Sequence, residues 1–331
     1  MVDSMKGAVI ADGRVSYSDF RMPTPGHGHD LVRVLAAALT NLDVITAEGR
    51  HYFSPAITPA VAGNECVGTL PSGERRYFPV TSLVPPFGSF AEWTLASAQK
   101  SLPIPDDVPD DLAASLGNAG LAGWLPLSWR GQLRRGESVL ILGATGVTGL
   151  IAVAAARLLG AGRVVAAGRS KAGLAKALAL GADAVVRLDS VDDLLSSFRE
   201  ALNGEADIVL DYLNGPATAD ALTSMAVGGR LIQIGSALGA VIAIPAALAR
   251  KQLISVMGFG YYHASLDEQA KAYTSLCDAA MRNQLDVERQ VLSLSRVADA
   301  WGMQKQQFMG RLVLVPDRVH TSRSRGQPAV P

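Results

Sequence analysis

The sequence predicts an α/β protein built from two parts, a small barrel-like β domain and a doubly wound parallel sheet with helices on both faces. The chain has 331 residues, 49% of them hydrophobic, which is enough for two separate cores. Up to about residue 115, short apolar runs alternate with clusters of Pro and Gly, a pattern typical of a β domain. From there to about residue 258, nearly continuous apolar strands alternate with helical segments, which favours a parallel sheet.

The individual elements follow from these patterns in chain order. In the first part, strands are predicted at KGAVI, DLVRVLAAAL, ECVGTL, RRYFPV and FAEWTLAS. In the second part, the strands SVLIL, RVVAA, DAVVRL, DIVLDYL, RLIQI and LISVMGF are separated by helical segments such as GLIAVAAARLLG. Helices over about 264–283 and 296–308 and a last strand, RLVLV, then follow. We expect a β domain over 1–115 and 259–331 and a parallel-sheet domain over 116–258.

Composition narrows the functional classes. Thirty basic and thirty acidic side chains leave no net charge that would attract nucleic acid or an anionic membrane. Two cysteines, Cys66 and Cys277, are too few for a disulfide framework or a cysteine-rich zinc site. The N-terminal segment has no apolar run of the kind found in export signals. We therefore expect a cytoplasmic protein that acts on a small molecule, with neither nucleic acid nor membrane as a partner.

A glycine-rich turn follows the strand SVLIL and opens an apolar helix. It reads A-x-G-x-x-G, a variant of the dinucleotide-binding fingerprint of Rossmann domains. Gly146 lets the backbone approach a pyrophosphate, Gly149 lets the helix pack closely on the strand, and the helix N-terminus offers free N–H groups. A lone match is also compatible with an ordinary tight turn, but the strand before it and the helix after it favour nucleotide binding. The predicted cofactor-binding residues of this turn are Ala144, Thr145, Gly146, Val147, Thr148 and Gly149.

The end of the next strand predicts which dinucleotide binds. An NAD site carries Asp or Glu there to hold the ribose hydroxyls, whereas this chain has Gly168, Arg169, Ser170 and Lys171. A guanidinium matches a 2′-phosphate in a bidentate fork, so these four residues favour NADPH. The alternative is that Arg169 and Lys171 are only the solvated start of a helix.

The position of the motif separates two kinds of protein that share it. The letters GATGVTG also open atypical short-chain dehydrogenases and related NADP-sensing regulators, where they lie in the first strand and helix of the chain. Here about 140 residues precede the motif, and they have the pattern of a β domain of their own. The late position argues against that family.

A β domain, a Rossmann domain and a return to the first domain resemble the medium-chain dehydrogenase/reductase superfamily, with its chaperonin-10-like (GroES-like) β-barrel catalytic domain. The resemblance covers nearly the whole chain and points to the quinone oxidoreductase branch. It implies a homodimer formed partly through edge strands of the Rossmann sheets. The segments on which the resemblance rests are LTNLDVITAEGRHY (39–52), PAVAGNECVGTL (59–70), GSFAEW (88–93), LGNAGLAGWLPL (116–127) and GESVLILGATGVTG (136–149).

Departures from the superfamily's zinc pattern lead us to expect no metal. Zinc alcohol dehydrogenases carry a Cys three residues before Asp43 and a His between Gly63 and Glu65, whereas this chain has Thr40 and Asn64 at those positions. Zinc needs imidazole or thiolate donors there, and the hydroxyl and amide are poor substitutes.

Without a Lewis acid, hydride transfer to an already electron-poor acceptor remains feasible, such as a quinone or an α,β-unsaturated carbonyl. The resemblance implies the same substrate class and suggests Tyr52, Asn41 and Asn64 as catalytic residues, although Tyr52 is equally compatible with a packing role alone. It also places Asn118 beside the nicotinamide. Asn214, Gly235 and Ser236 follow the carboxyl ends of later strands and are also predicted to bind the cofactor. A pathway-specific enone or enoyl reductase and a non-catalytic NADPH-binding redox sensor remain as alternatives.

Overall fold

The structure is a computed structural model that describes residues 4–190, 192–306 and 308–317. The strands are β1 Ser4–Ala11, β2 Arg14–Arg21, β3 Asp30–Leu39, β4 Ala60–Val61, β5 Cys66–Thr69, β6 Arg75–Phe78, β7 Trp93–Ala96, β8 Leu102–Pro103, β9 Ser138–Leu142, β10 Arg163–Gly168, β11 Ala184–Arg187, β12 Ala206–Asp211, β13 Met225–Gln233, β14 Ser255–Gly258, β15 Arg289–Ser293 and β16 Arg311–Val315. The helices are α1 Asn41–Ala47, α2 Asp110–Leu116, α3 Asn118–Leu125, α4 Val147–Leu158, α5 Lys171–Ala179, α6 Leu194–Leu202, α7 Pro216–Thr223, α8 Ala246–Gln252, α9 Leu266–Met281 and α10 Val297–Lys305.

The second part of the chain forms a six-stranded, fully parallel sheet in the order β11-β10-β9-β12-β13-β14. Helices cover both faces, so the strands are apolar throughout, and Val139–Leu142 of β9 are fully buried. The chain winds in one direction from β9 to β11 and in the other from β12 to β14. This confirms the predicted Rossmann fold, and it puts the point where the winding reverses, the usual dinucleotide crevice, between β9 and β12.

The other part is antiparallel apart from one strand pair. A seven-stranded sheet joins β15-β16-β3-β5-β6-β8, with β7 also paired to β3, and a three-stranded sheet joins β2-β1-β4. Because β16 pairs with β3, the chain returns to its first domain after the parallel sheet. The predicted barrel-like β domain beside a Rossmann domain is therefore confirmed, while the boundaries at residues 115 and 258 stay predictions.

Four strands were not predicted from the sequence: β2, β4, β8 and β15. β4 and β8 have only two residues each, and the other two were missed for a physical reason. β2 and β15 lie at sheet edges and expose most of their side chains, so their sequences RVSYSDFR and RQVLS lack the buried apolar run that marks the other strands. Their pairing partners, β1 and β16, supply the apolar surface instead.

The helix α3 lies between the two parts and contacts both α4 and α9. A Cβ on Gly123 would lie 2.7 Å from the Ile151 side chain of α4, and one on Gly120 would lie 2.9 Å from Leu276 of α9. A side chain at either position would displace its neighbour, so these glycines let α3 pack closely between α4 and α9. No helix among the described residues is both long enough and apolar enough to cross a bilayer.

Candidate active site

The glycine-rich turn between β9 and α4 has the geometry that its sequence predicts. A Cβ on Gly149 would lie 2.3 Å from the carbonyl oxygen of Gly143, so only glycine lets α4 begin this close to the strand. Gly146, the N-cap of α4, is exposed, and a Cβ there would meet only one atom, at 3.8 Å. The space above Gly146 is therefore open, and the first N–H groups of α4 have no acceptor within the helix. This arrangement fits a dinucleotide pyrophosphate.

Thr145 packs sideways and joins the turn to the end of β10. A Cβ on Gly168 would lie 2.4 Å from the Thr145 methyl group, and one on Gly173 would lie 2.6 Å from its Cβ. The hydroxyl of Ser170 accepts a hydrogen bond of 3.1 Å from the N–H of Gly173 and so caps α5. Thr145, Gly168 and Ser170 therefore shape the pocket through packing and capping.

Cations lie at the end of β10. Arg169 and Lys171 are exposed, and within the described part of the chain neither side chain makes a hydrogen bond or an ion pair. A second guanidinium lies beside them and was not predicted from the sequence. It belongs to Arg187 at the end of β11, which is the register partner of Gly168 and donates a hydrogen bond of 2.9 Å to Asp189. Its position follows from parallel pairing, which brings the last residues of neighbouring strands to one edge of the sheet.

The ends of the later strands are held by their own hydrogen bonds. The Asp211 carboxylate accepts from the backbone N–H groups of Leu213 and Asn214 and from the Thr218 hydroxyl. Asn214 is buried with φ of +49°, and its amide donates to the carbonyl oxygen of Gly239 at 2.6 Å. The Asn214 side chain is thus committed to shaping the loop.

Gly235 and Ser236, the two predicted cofactor-binding residues after β13, have different surroundings. A Cβ on Gly235 would lie 2.5 Å from the Tyr212 carbonyl oxygen, so this glycine is required by packing. Ser236 is exposed beside it, at the carboxyl edge of the sheet where a dinucleotide would lie.

Two polar residues of the β domain, Thr40 and Asn64, donate to the buried carboxylate of Asp43. The backbone N–H and hydroxyl of Thr40 donate to one carboxylate oxygen, both at 2.7 Å. The backbone N–H of Asn64 donates to the other at 2.9 Å and its side-chain amide at 2.7 Å. The same Asn64 amide nitrogen also donates to the Thr46 hydroxyl, so both of its hydrogens are used internally. Burial raises the pKa of Asp43, while these donors oppose that shift.

Asn41 lies apart from this network. It is the first residue of α1, its side chain is exposed, and its carbonyl oxygen accepts a hydrogen bond of 2.8 Å from the Gln304 amide. The side chains of Asn64 and Asn41 share no hydrogen-bond partner, and their catalytic roles stay predictions.

Tyr52 contributes an exposed hydroxyl where the two parts of the chain meet. Its side chain is 71% exposed, and its hydroxyl is hydrogen-bonded to that of Tyr262, just after β14. The rings of His51 and Phe53 pack beside this pair, with Phe53 5.3 Å from Tyr262 between ring centroids. Burial, with the bond to Tyr52, raises the pKa of Tyr262. Whichever hydroxyl donates, the pair keeps one hydrogen for a third group.

Glu65 is a buried carboxyl group beneath Asn118. One of its oxygens accepts from the Tyr77 hydroxyl at 2.5 Å and from the backbone N–H of Asn118 at 2.6 Å. Burial raises the pKa of Glu65 to about 7, although both donors oppose the shift. The side chain of Asn118 is half-buried, and its amide has no hydrogen-bond partner among the residues that the structure describes.

Comparison with known proteins gives the family. Residues 147–278 match the family described as zinc-binding dehydrogenase. Prostaglandin reductase-3 of Bos taurus is 30% identical over 261 residues, which cover 74% of this chain and 67% of that protein. The quinone oxidoreductase of Thermus thermophilus, whose structure was also solved with NADPH, superposes with a TM-score of 0.78 at 28% identity, covering 94% of this chain and 100% of the other. The chain belongs to the medium-chain dehydrogenase/reductase superfamily. Within it, the relatives and solved structures point to the quinone oxidoreductase branch.

One relative of this chain is a far larger protein. A phenolphthiocerol/phthiocerol polyketide synthase of Mycobacterium tuberculosis is 33% identical over 301 residues. The match covers 86% of this chain but only 13% of that synthase.

Zinc does not fit the residues that this chain places at the superfamily's catalytic metal position. Thr40 and Asn64 direct their hydrogens to Asp43, and neither offers imidazole or thiolate. Across residues 4–190, 192–306 and 308–317, no three His, Cys, Asp or Glu side chains gather where a metal ion would sit. The family match begins at residue 147 and so does not include these positions. The metal content itself stays a prediction.

Proposed function

We propose that this chain is an NADPH-dependent reductase that delivers hydride to a quinone or an α,β-unsaturated carbonyl compound without using a metal ion. One observation carries the proposal: the open dinucleotide turn at Gly146 lies on the same edge of the sheet as the chain segment that bears Tyr262 and its partner Tyr52. A hydride donor and a hydroxyl donor are then available in one crevice. The relatives and solved structures that are quinone oxidoreductases and prostaglandin reductases support the same substrate class.

Each part of the crevice has a task in this mechanism. The N-terminus of α4 binds the pyrophosphate, and the packed turn around Gly149 fixes its position. When bound, the reduced nicotinamide supplies the hydride. The β-carbon of the acceptor gains that hydride, and its carbonyl oxygen gains negative charge. The free hydrogen of the Tyr52–Tyr262 pair donates to this oxygen, and a proton from solvent completes the reduction.

The choice of NADPH over NADH rests on the cations at the strand ends. Arg169 and Lys171 are exposed, and the Arg187 guanidinium lies on the neighbouring strand. No acidic residue occupies the position at the end of β10 that would hold the ribose hydroxyls of NADH. A 2′-phosphate would place its charge between these cations, where Arg169 can form a bidentate bond.

A second candidate substrate is an enoyl thioester of a biosynthetic pathway. The similarity to an acryloyl-coenzyme A reductase of Sulfurisphaera tokodaii, 27% identical over 266 residues, favours it, because acryloyl-coenzyme A is an enoyl thioester. The chemistry is the same: an enoyl thioester has a conjugated carbonyl whose oxygen gains charge when the β-carbon accepts hydride. The two candidates differ only in what surrounds the conjugated group.

A screen of acceptors tests the proposal. NADPH consumption is followed at its absorbance band with three acceptors, a quinone, a cyclic enone and an enoyl thioester, and NADPH binding is measured separately by fluorescence. We expect turnover of at least one acceptor, and the fastest one assigns the class. Tight NADPH binding without turnover of any acceptor would contradict the proposal and favour a non-catalytic NADPH sensor.

We also propose a cytoplasmic homodimer. The β14 strand ends the parallel sheet and, among the described residues, pairs only with β13. Large apolar side chains are exposed in the segment before it, including Val241 at 83% and Leu253 at 67%. An exposed strand edge beside apolar side chains suits pairing with a second copy. Two free, buried thiols, Cys66 and Cys277, suit a reducing compartment. Sedimentation of the purified protein as a monomer would contradict the dimer.

A further inference from the structure

The buried carboxyl group of Glu65 connects the β domain to the helix that leads into the Rossmann domain. Glu65 precedes β5, and its oxygen accepts from Tyr77 of β6 and from the first backbone N–H of α3, that of Asn118. Glycine is required between α2 and α3, since a Cβ on Gly117 would lie 2.2 Å from the same carboxyl oxygen. The chain therefore passes directly over Glu65 as it leaves the β domain.

We propose that Glu65 is a positioning residue: by holding the first N–H of α3 from the β-domain side, it sets the Asn118 amide at the nicotinamide end of the crevice. This inference rests on the proposed function in one respect, namely that a nicotinamide dinucleotide occupies that crevice. Glu65 itself touches neither the cofactor nor the substrate in this proposal.

The packing around α3 allows this hydrogen bond to fix the position of the helix start. Gly120 and Gly123 let α3 pack closely on α9 and α4. The Tyr77 ring stacks on that of Tyr273 at 4.8 Å between centroids, and the Tyr273 hydroxyl donates to the carbonyl oxygen of Ala113 in α2. The start of α3 therefore has a rigid support on each side, and the bond to Glu65 is the polar contact that fixes its first residue.

The charge on Glu65 determines how strongly it holds that N–H. The groups that face it are the hydroxyls of Tyr77, Tyr261 and Tyr273, the carboxylate of Asp43, the thiol of Cys66 and the guanidinium of Arg311. Arg311 is the one cation among these described neighbours; it is buried, and its Nε has no partner within the described residues. An ionised carboxylate is a stronger acceptor for the Asn118 N–H than a neutral carboxyl group. Because burial raises the pKa of Glu65 to about 7, the hydrogen bond from the Asn118 N–H to Glu65 strengthens as the pH rises through neutrality.

A double-mutant cycle on cofactor binding tests the proposal. Glu65→Ala, Asn118→Ala and the double variant are titrated with NADPH, and binding is followed by nicotinamide fluorescence, which needs no acceptor substrate. We expect Glu65→Ala to raise the NADPH Kd roughly tenfold, the size of one lost hydrogen bond. In the Asn118→Ala background the same change should alter the Kd less than about twofold, because the group that Glu65 positions is gone.

Asp207→Ala provides a matched control. The Asp207 carboxylate also accepts from one backbone N–H, that of Ser138 at 2.8 Å, and from one hydroxyl, at 2.9 Å. It joins the starts of β9 and β12, at the opposite edge of the sheet from the crevice. We expect this variant to lose stability and to keep the wild-type NADPH Kd. Equal rises in Kd for Asp207→Ala and Glu65→Ala, or additive effects of Glu65→Ala and Asn118→Ala, would overturn the proposal.

Glu65→Gln keeps the test decisive if Glu65→Ala does not fold. Its amide oxygen still accepts from Asn118 and Tyr77 but does not titrate. With NADH as the probe, which lacks the titrating 2′-phosphate, wild-type affinity should rise as the pH increases through about 7 while that of Glu65→Gln stays flat. Identical pH profiles would overturn the proposal. A protein that binds the cofactor but turns over no acceptor would contradict the proposed function and still give these answers.

Discussion

At the scale of single residues, the guanidinium of Arg169 distinguishes a pocket for a 2′-phosphate from the ordinary start of a helix. It is exposed, and within the described chain no acidic side chain forms an ion pair with it. Arg187, the nearest second guanidinium along the sheet edge, is already bonded to Asp189. A 2′-phosphate would therefore meet one available guanidinium and one that is partly neutralised.

Arg169→Ala tests this assignment. The change removes one or two charge-assisted hydrogen bonds to the 2′-phosphate, so the NADPH Michaelis constant should rise roughly ten- to hundredfold. NADH lacks the phosphate and should be nearly unaffected, which makes it the internal control. Equal weakening of both cofactors would show that Arg169 has no contact with the phosphate.

Tyr52→Phe asks whether the exposed hydroxyl pair takes part in chemistry. If the Tyr52–Tyr262 pair donates a hydrogen bond to the substrate oxygen that gains charge, the variant should lose activity. Its kcat and kcat/KM should fall together by roughly ten- to a thousandfold with a weak acceptor such as a cyclic enone. Tyr17→Phe is the control. Tyr17 lies on β2, and the change removes a hydroxyl that donates to Asp317. Wild-type turnover of the enone by Tyr52→Phe would leave only a packing role for Tyr52.

The sequence predicted some of these residues and not others, for physical reasons. Gly149 and Arg169 are recognisable because the dinucleotide fingerprint and the strand end that follows it are local in the chain. Tyr52 and Tyr262 are 210 positions apart, and their pairing depends on how the two domains meet. Glu65 and Asn118 also come together only in the fold, 53 positions apart, through a backbone N–H that leaves no trace in side-chain identity.

At the scale of elements, the β9–α4 turn separates two uses of glycine within one motif. Gly149 is required by the fold, since its Cβ would lie 2.3 Å from a backbone oxygen. Gly146 is not, because its φ is −82° and the space around it is open. The sequence motif alone does not tell these two cases apart.

The matched pair Gly149→Ala and Gly146→Ala turns this contrast into a measurement. We expect Gly149→Ala to lower the free energy of unfolding by roughly 1–3 kcal/mol through overpacking. Gly146→Ala should keep wild-type stability and weaken NADPH binding, because its methyl group occupies the space of the pyrophosphate. Thermal unfolding and fluorescence titration of both variants give the answer, and a Gly146→Ala protein with unchanged NADPH affinity would mean that the phosphates lie elsewhere.

At the scale of the whole molecule, buried carboxyl groups of the β domain make stability depend on pH. Burial raises the pKa of Glu65 to about 7 and also raises that of Asp43. The unfolded chain releases the Glu65 proton near its ordinary value, whereas the folded chain keeps it until about pH 7. Between these values the folded state binds more protons at Glu65, so the contribution of Glu65 to stability is greatest at acidic pH and falls as the pH rises.

The expected loss from Glu65 alone is roughly 3 kcal/mol between its ordinary pKa and neutrality. Melting temperatures of wild type and Glu65→Gln are compared at about pH 5.5 and about pH 8, on either side of the folded-state value. We expect Tm to fall with pH in the wild type and to fall less in Glu65→Gln, whose amide carries no charge at either pH. A variant that loses as much Tm as the wild type would place the titration in another group.

The transfer of the hydride itself is the most direct test of the central claim. The zinc content of the purified protein is measured by elemental analysis, its activity is compared before and after treatment with a chelator, and it is then given NADPH deuterated at the transferred position of C4 together with the best enone or enoyl acceptor from the screen. We expect no stoichiometric zinc, unchanged activity after chelation, and a product that carries one deuterium, at the carbon β to the carbonyl group of an enone or enoyl acceptor. One zinc per chain with activity lost on chelation, or bound NADPH with no deuterium in any product, would contradict the account.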